Sequence, residues 1–136
     1  MTHAVLFLCN RNAIRSPMAA ALLGHLGGEA ESAGVTPGEP DPLSGAVLEE
    51  IGLTLPQAPW PVDALKLGRF GLIVSLSPQA QHRALELTRN LHVPVEFWQV
   101  ADPSLADGSR EQRLAAYRSV RDELLKKLKE RFPAST

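Results

Sequence analysis

An apolar run, Ala4 to Leu8, ends at the chain's one cysteine, Cys9, and five residues separate that cysteine from Arg15-Ser16-Pro17. The run is short, wholly apolar and partly β-prone, as expected of a strand buried on both faces. Residues 17–26 are helix formers, with Pro17 suited to a first turn and Gly27-Gly28 to a stop. A buried strand feeding a helix through a short loop is half of a βαβ unit, and it commits the chain to a sheet with helical crossovers.

The rest of the sequence repeats the pattern. Residues 29–35 read as a second strand, "TPGEPDP" at 36–42 as loop, and 42–51 as a helix ended by Gly52. Residues 53–61 hold three prolines and read as irregular. Residues 70–76 form a third apolar strand, and 78–91 a helix with Ser77 as its N-cap. Residues 93–100 read as a fourth strand, with Pro94 near its start. Ser109 to Gln112 has capping-box spacing, and the following helix puts Leu114, Tyr117, Val120 or Arg121, Leu124 and Leu128 on one stripe. The expectation is a single α/β domain over residues 1–136, with a doubly wound parallel sheet covered by helices on both faces. Ligands of such sheets bind beyond the carboxyl ends of the strands, where Cys9 to Ser16 lies.

A net charge of −1 gives no bulk attraction to nucleic acid or acidic lipid. Apolar runs such as Ala4–Cys9 are far too short to span a bilayer. One cysteine cannot form an internal disulfide, which fits a reducing, cytoplasmic compartment. His3, His25, His82 and His92 show no metal-ligand spacing, so no metal or other cofactor is expected. Asp41 and Asp63 read as helix N-caps, and "RDELLKKLKER" as a solvated face of opposite charges. "TPGEPDP" has no assignable role.

The loop itself carries the chemistry. A helix start offers unpaired N–H groups and partial positive charge, and a loop curling into it can wrap an oxyanion. Asn12 tolerates the left-handed backbone that such a nest needs. Arg15 can grip two anion oxygens as a planar fork. A thiol held there is favoured as its thiolate, and Ser16 can donate to it. A lone cysteine is most often a buried structural residue, but the Arg-Ser offset at a strand end turns the reading to a nucleophile facing a tetrahedral oxyanion.

Cys-x5-Arg-Ser after an N-terminal strand resembles the low-molecular-weight protein tyrosine phosphatase family. Asn12, Arg15-Ser16-Pro17, Ser32-Ala33-Gly34 and Asp102-Pro103 fall on its motifs, and the resemblance covers nearly the whole chain. It implies a four-stranded parallel sheet and a phosphocysteine mechanism without metal. In that scheme Cys9 attacks phosphorus, and Arg15 holds the equatorial oxygens with Asn10, Arg11, Asn12, Ala13, Ile14 and Ser16. Asp102 serves as general acid and then as base, the substrate being a phosphate ester on a protein, phosphotyrosine included, or on a small molecule.

The sequence also departs from that family. Arg11 puts a long cation where glycine is usual, and Ile14 replaces a second cysteine. Ser104 replaces the tyrosine expected as a pocket wall, which speaks against tyrosine specificity. Trp60 and Trp98 are the available aromatic walls, though packing is the commoner use of tryptophan. Ser77-Pro-Gln-Ala80 replaces an Asp-x-x-Asn stretch. "IVSLS" and "VEFWQVADP" resemble thiol-coupled arsenate reductases, which share the fold and loop. With no second thiol, such a reductase would need an external thiol donor, so phosphatase leads, reductase follows, and a non-catalytic anion-binding regulatory module is third.

Overall fold

The computed structural model describes residues 4–55 and 59–133. His3 and the middle of the proline-rich 53–61 segment lie outside the described residues. Four strands, β1 (Val5–Cys9), β2 (Ala30–Gly34), β3 (Leu72–Ser75) and β4 (Val95–Phe97), form one parallel sheet in the order β2-β1-β3-β4. The helices are α1 (Arg15–His25), α2 (Pro42–Glu49), α3 (Pro78–Leu87) and α4 (Arg110–Arg131). Strand order reverses on either side of β1, so the carboxyl end of β1 is the switch point where such sheets open a crevice.

Alternation along β1 sends side chains to the two faces. Val5, Phe7 and Cys9 join α1, α2 and α4 in one core with Met18, Leu22, Val47, Leu48, Tyr117 and Leu124. Leu6 and Leu8 face a smaller core with Ile73, Ala80 and Ala84 of β3 and α3. Both faces of the sheet are therefore covered, as the fully buried central strands β1 and β3 require. Each fully buried leucine in these layers contributes about 1.5–3 kcal/mol from burial. The stripe on α4 is Leu114, Tyr117, Val120, Leu124 and Leu128, all buried. Arg121 lies beside it and donates to the Val47 carbonyl and to Glu50.

Three caps stand where the sequence puts them. Asp41 accepts from Leu43 and Ser44 N–H at the start of α2, Ser77 from Ala80 N–H at α3, and Ser109 pairs reciprocally with Gln112 at α4. Asp63 is not a cap: it lies within the 3₁₀ turn Val62–Ala64, whose N-cap is Pro61, and pairs instead with Arg83. Several extents also differ. Helix α1 starts at Arg15 rather than Pro17, because the Ile14 carbonyl already takes the Met18 N–H. Helix α3 stops at Leu87, where the Thr88 hydroxyl takes the Ala84 carbonyl and the chain turns back on itself. Phe70 closes the 3₁₀ turn Leu67–Arg69 instead of opening β3. Strand β4 ends at Phe97: Trp98 N–H makes the last bond to β3, and the Val100 carbonyl is turned to Arg15.

Glu50 ties α2 to α4 through Arg118 and Arg121. The Arg118 hydrogen bond, aided by Arg121, lowers its carboxyl from the ordinary 4.5 to about 2. A depressed carboxylate contributes stability above its unfolded pKa and loses it as pH falls through the folded one. Glu50→Gln is therefore expected to lower the denaturation midpoint at pH 6, with the gap closing as pH falls from about 4.5 toward 2. Denaturant titrations of both proteins across that range check it.

Candidate active site

Strand β1 delivers Cys9, almost fully buried, to the switch point. The next residues turn back on themselves. Carbonyls of Cys9, Asn10 and Arg11 accept from Val35, Thr36 and Gly38 N–H, and the Ala13 carbonyl from the Ser44 hydroxyl. A planar trans peptide points its N–H opposite to its C=O. The amides of residues 10, 11, 12 and 14 therefore face away from those partners. One of them is seen at work: Asn12 N–H donates to Cys9 Sγ at 3.2 Å.

Asn12 makes this turn with φ 53°, the one left-handed backbone outside glycine among the described residues. Its side chain is held at both ends. Oδ1 accepts from Trp60 N–H at 2.8 Å, and Nδ2 donates to Ser16 Oγ at 2.7 Å. Ser16 Oγ lies 3.0 Å from Cys9 Sγ and 3.3 Å from the Ala33 carbonyl. The hydroxyl has one hydrogen for two acceptors, and a thiolate is the stronger of the two. Asn12 and Ser16 are thus buried beneath the loop rather than on the pocket wall.

Helix α1 differs from the other α-helices at its start. Its N-cap, Ile14, makes no side-chain hydrogen bond to the first turn. Asp41, Ser77 and Ser109 cap the other three. The Arg15 and Ser16 amides that open α1 have no partner inside the helix and point to its open end, where an external anion can meet them. Arg15, the first residue of α1, is anchored by Nη1 donating to the Val100 carbonyl at 2.9 Å and the Leu76 carbonyl at 3.4 Å. One nitrogen of its fork is spent on carbonyls beyond the ends of β3 and β4, which fixes where the rest of the guanidinium points.

The loop is supported from below by Gly34. A Cβ there would stand 2.9 Å from the Arg11 carbonyl carbon and from Asn12 N and Cβ. Gly34→Ala is expected to push the loop out of shape, weakening phosphate affinity about tenfold or more, a loss of about 1.4 kcal/mol per decade. Isothermal calorimetry with inorganic phosphate measures it.

Cys9, Asn10, Arg11, Ala13, Ile14 and Arg15 line one pocket of about 260 Å³ together with Asp102 and Ser104. Asp102, at the start of the 3₁₀ turn Pro103–Leu105, reaches this pocket from across the sheet. Ser104 N–H and hydroxyl both donate to its Oδ1, at 2.9 and 2.7 Å. The remaining wall is Glu39, Pro40, Asp41 and Pro42, from the segment without an assigned role in the sequence. A signal existed: this segment follows the carboxyl end of β2, the side on which such sheets bind. Asp41 spends Oδ1 on the α2 amides and accepts the Tyr117 hydroxyl at Oδ2, 2.8 Å away.

Neither tryptophan lines the pocket around Cys9. Trp98 packs between Phe7 and Phe132, with ring centroids 6.2 and 6.5 Å away. Trp60 is half exposed and meets the site through its backbone, its N–H donating to Asn12 Oδ1 and its carbonyl accepting from Gly34 N–H. Arg11 is exposed at the rim, its guanidinium lying against Gly38. Among the described residues no group of His, Cys, Asp or Glu is arranged to hold a metal ion, and no helix is long and apolar enough to cross a membrane.

Comparison with known proteins places this geometry. The family model described as low molecular weight phosphotyrosine protein phosphatase matches residues 4–134. An arsenate reductase of Bacillus subtilis is 32% identical over 130 residues, covering 93% of this chain and 92% of that protein. The crystal structure of an arsenate reductase from Archaeoglobus fulgidus is 31% identical with a TM-score of 0.74, covering 93% of this chain and 96% of that one. An arginine phosphatase of Geobacillus stearothermophilus shares the fold, with a TM-score of 0.76 at 22% identity over 98% and 99% of the two chains.

Proposed function

The chain belongs to the low molecular weight phosphotyrosine protein phosphatase family, and from that premise we propose that it hydrolyses phosphate monoesters through a phosphocysteine on Cys9. The observation that carries the choice is the single thiol. The chain has one cysteine, so no second thiol of its own can take over an oxidised Cys9. Hydrolysis needs only one.

The steps use the residues of the pocket. Cys9 sulfur attacks phosphorus in line. The loop amides, the first turn of α1 and Arg15 hold the equatorial oxygens where charge gathers. Asp102, with Oδ1 held by Ser104, protonates the departing oxygen. It then takes a proton from water, which attacks phosphorus and releases phosphate and the Cys9 thiolate. No electrons are transferred, and no thiol is consumed. Without an aromatic wall, the pocket suits phosphate esters broadly rather than phosphotyrosine alone.

Arsenate reduction is the second reading, favoured by the names of the relatives that are 31–32% identical. Arsenate fits the same cradle. Cys9 would add to arsenic(V) with loss of water, and an external thiol would attack the Cys9 sulfur. Arsenite would leave with the electron pair, and a second external thiol would reduce the mixed disulfide.

One pair of assays decides. The protein is given an aryl phosphate without thiol, and separately arsenate with a panel of small and protein thiols. Thiol-independent ester hydrolysis is expected. Arsenite formed only with a thiol donor, with no ester hydrolysis, would overturn the phosphatase reading. Phosphate bound without turnover in either assay would make the chain an anion-binding module.

A further inference from the structure

The anion loop is braced from the far end of the chain by a run of hydrogen bonds. Tyr117 sits in the N-terminal half of α4, buried among the apolar residues of the larger core. Its ring needs no hydroxyl for that packing. The hydroxyl nevertheless donates to Asp41 Oδ2 at 2.8 Å. Asp41 Oδ1 accepts from Leu43 N–H at 2.8 Å and Ser44 N–H at 3.4 Å, which starts α2. The Ser44 side chain, fully buried, then donates to the Ala13 carbonyl at 3.2 Å. Asp41 and Ala13 both line the pocket, and Ser44 bonds to each of them.

A helix cap needs one carboxylate oxygen. Asp41 has a second, and on a pocket wall that is to receive an oxyanion an unpaired second oxygen would repel the ligand. Tyr117 occupies it. Burial and the neighbouring carboxylates of Asp41 and Asp102 hold the phenol far above its ordinary range, so it remains a donor. The Ala13 carbonyl, fixed by Ser44, sets the direction of the Ile14 amide in the same peptide plane.

We propose that Tyr117, Asp41 and Ser44 are positioning residues, a strut from α4 through the start of α2 that holds the outer half of the Cys9–Ser16 loop and keeps the Asp41 carboxylate from opposing the bound anion. The inference rests on the anion-loop reading above and adds residues that no part of the proposed chemistry uses directly.

Tyr117→Phe keeps the buried ring and removes the donor. Ser44→Ala keeps Tyr117 on Asp41 and cuts the link to the loop. Two measurements are made on both variants and the parent: affinity for inorganic phosphate by calorimetry, and amide hydrogen exchange by residue. Tyr117→Phe is expected to weaken phosphate affinity about tenfold, the loss for one hydrogen bond to a charged group. Exchange quickens over residues 10–16 and 41–46, while β1 and β3 stay as protected as in the parent. Ser44→Ala is expected to quicken exchange over residues 10–16 with Tyr117 and Asp41 unaltered.

Phosphate affinity within twofold of the parent in Tyr117→Phe, with unchanged exchange in the loop, would overturn the strut. So would faster exchange spread evenly through the sheet, since that is loss of global stability. Exchange is read without any ligand. If the parent bound no phosphate, the anion-loop reading would fall, and exchange would still decide whether the strut holds the loop.

Discussion

Cys9→Ser is expected to lose ester hydrolysis by about 10⁴-fold or more while still binding inorganic phosphate. The substitution exchanges sulfur for oxygen at a position where the groups bonded to the nucleophile are donors rather than bases. The groups at Cys9 Sγ are the Asn12 amide and the Ser16 hydroxyl. Both can stabilise a thiolate, and neither can take a proton from a serine hydroxyl. The cradle is expected to keep its shape, because the loop carbonyls are held by Val35, Thr36 and Gly38 N–H and the Ser44 hydroxyl, Arg15 is held by the Val100 carbonyl, and a serine oxygen can still accept from the Asn12 amide and the Ser16 hydroxyl. Rates with an aryl phosphate and calorimetry with phosphate test both halves. A variant within tenfold of the parent rate would remove Cys9 from the reaction, and one that no longer bound phosphate would show that the sulfur helps build the cradle.

Asp102→Asn is expected to lower kcat by about 10²–10⁴-fold, the usual range for a lost general acid. The asparagine can still accept from Ser104 N–H and hydroxyl, so the turn Pro103–Leu105 is expected to keep its shape. What disappears is a transferable proton. The loss should therefore grow with the basicity of the leaving group, small for a nitrophenolate and large for an alkoxide. Steady-state rates across a series of substituted aryl and alkyl phosphates measure that slope. An equal loss for every leaving group would mean that Asp102 positions substrate and transfers no proton.

Much of this was legible in the sequence, for identifiable reasons. The central strands β1 and β3 are read from apolar runs because both of their faces are covered, whereas the edge strands β2 and β4 carry Glu31 and Glu96. The caps Asp41, Ser77 and Ser109 are read because each is the side chain that a helix start requires. The Cys9-to-Ser16 loop is read because its spacing joins a strand end to a helix start. The missed features are those made by tertiary contact. Nothing local tells Asp63 that Arg83 is nearby, or ends β4 where Arg15 claims the Val100 carbonyl. Asn12 and Ser16 read as ligand contacts, yet the fold turns them under the loop to hold Cys9. Glu39 to Pro42 reads as an idle linker until β2 sets it against the pocket. Tyr117 reads as one more apolar position on α4, since its hydroxyl's partner is 76 residues away.

The central claim is a covalent intermediate on one sulfur, and the most direct measurement is to look for it. Asp102→Asn protein, slowed in both steps, is mixed with an aryl phosphate, quenched within the first turnover and analysed by intact mass and peptide mapping. The account predicts one added phosphoryl group, confined to the peptide carrying Cys9 and absent from Cys9→Ser. Turnover with an unmodified Cys9 at every quench time, or a phosphoryl group on another residue, would contradict it.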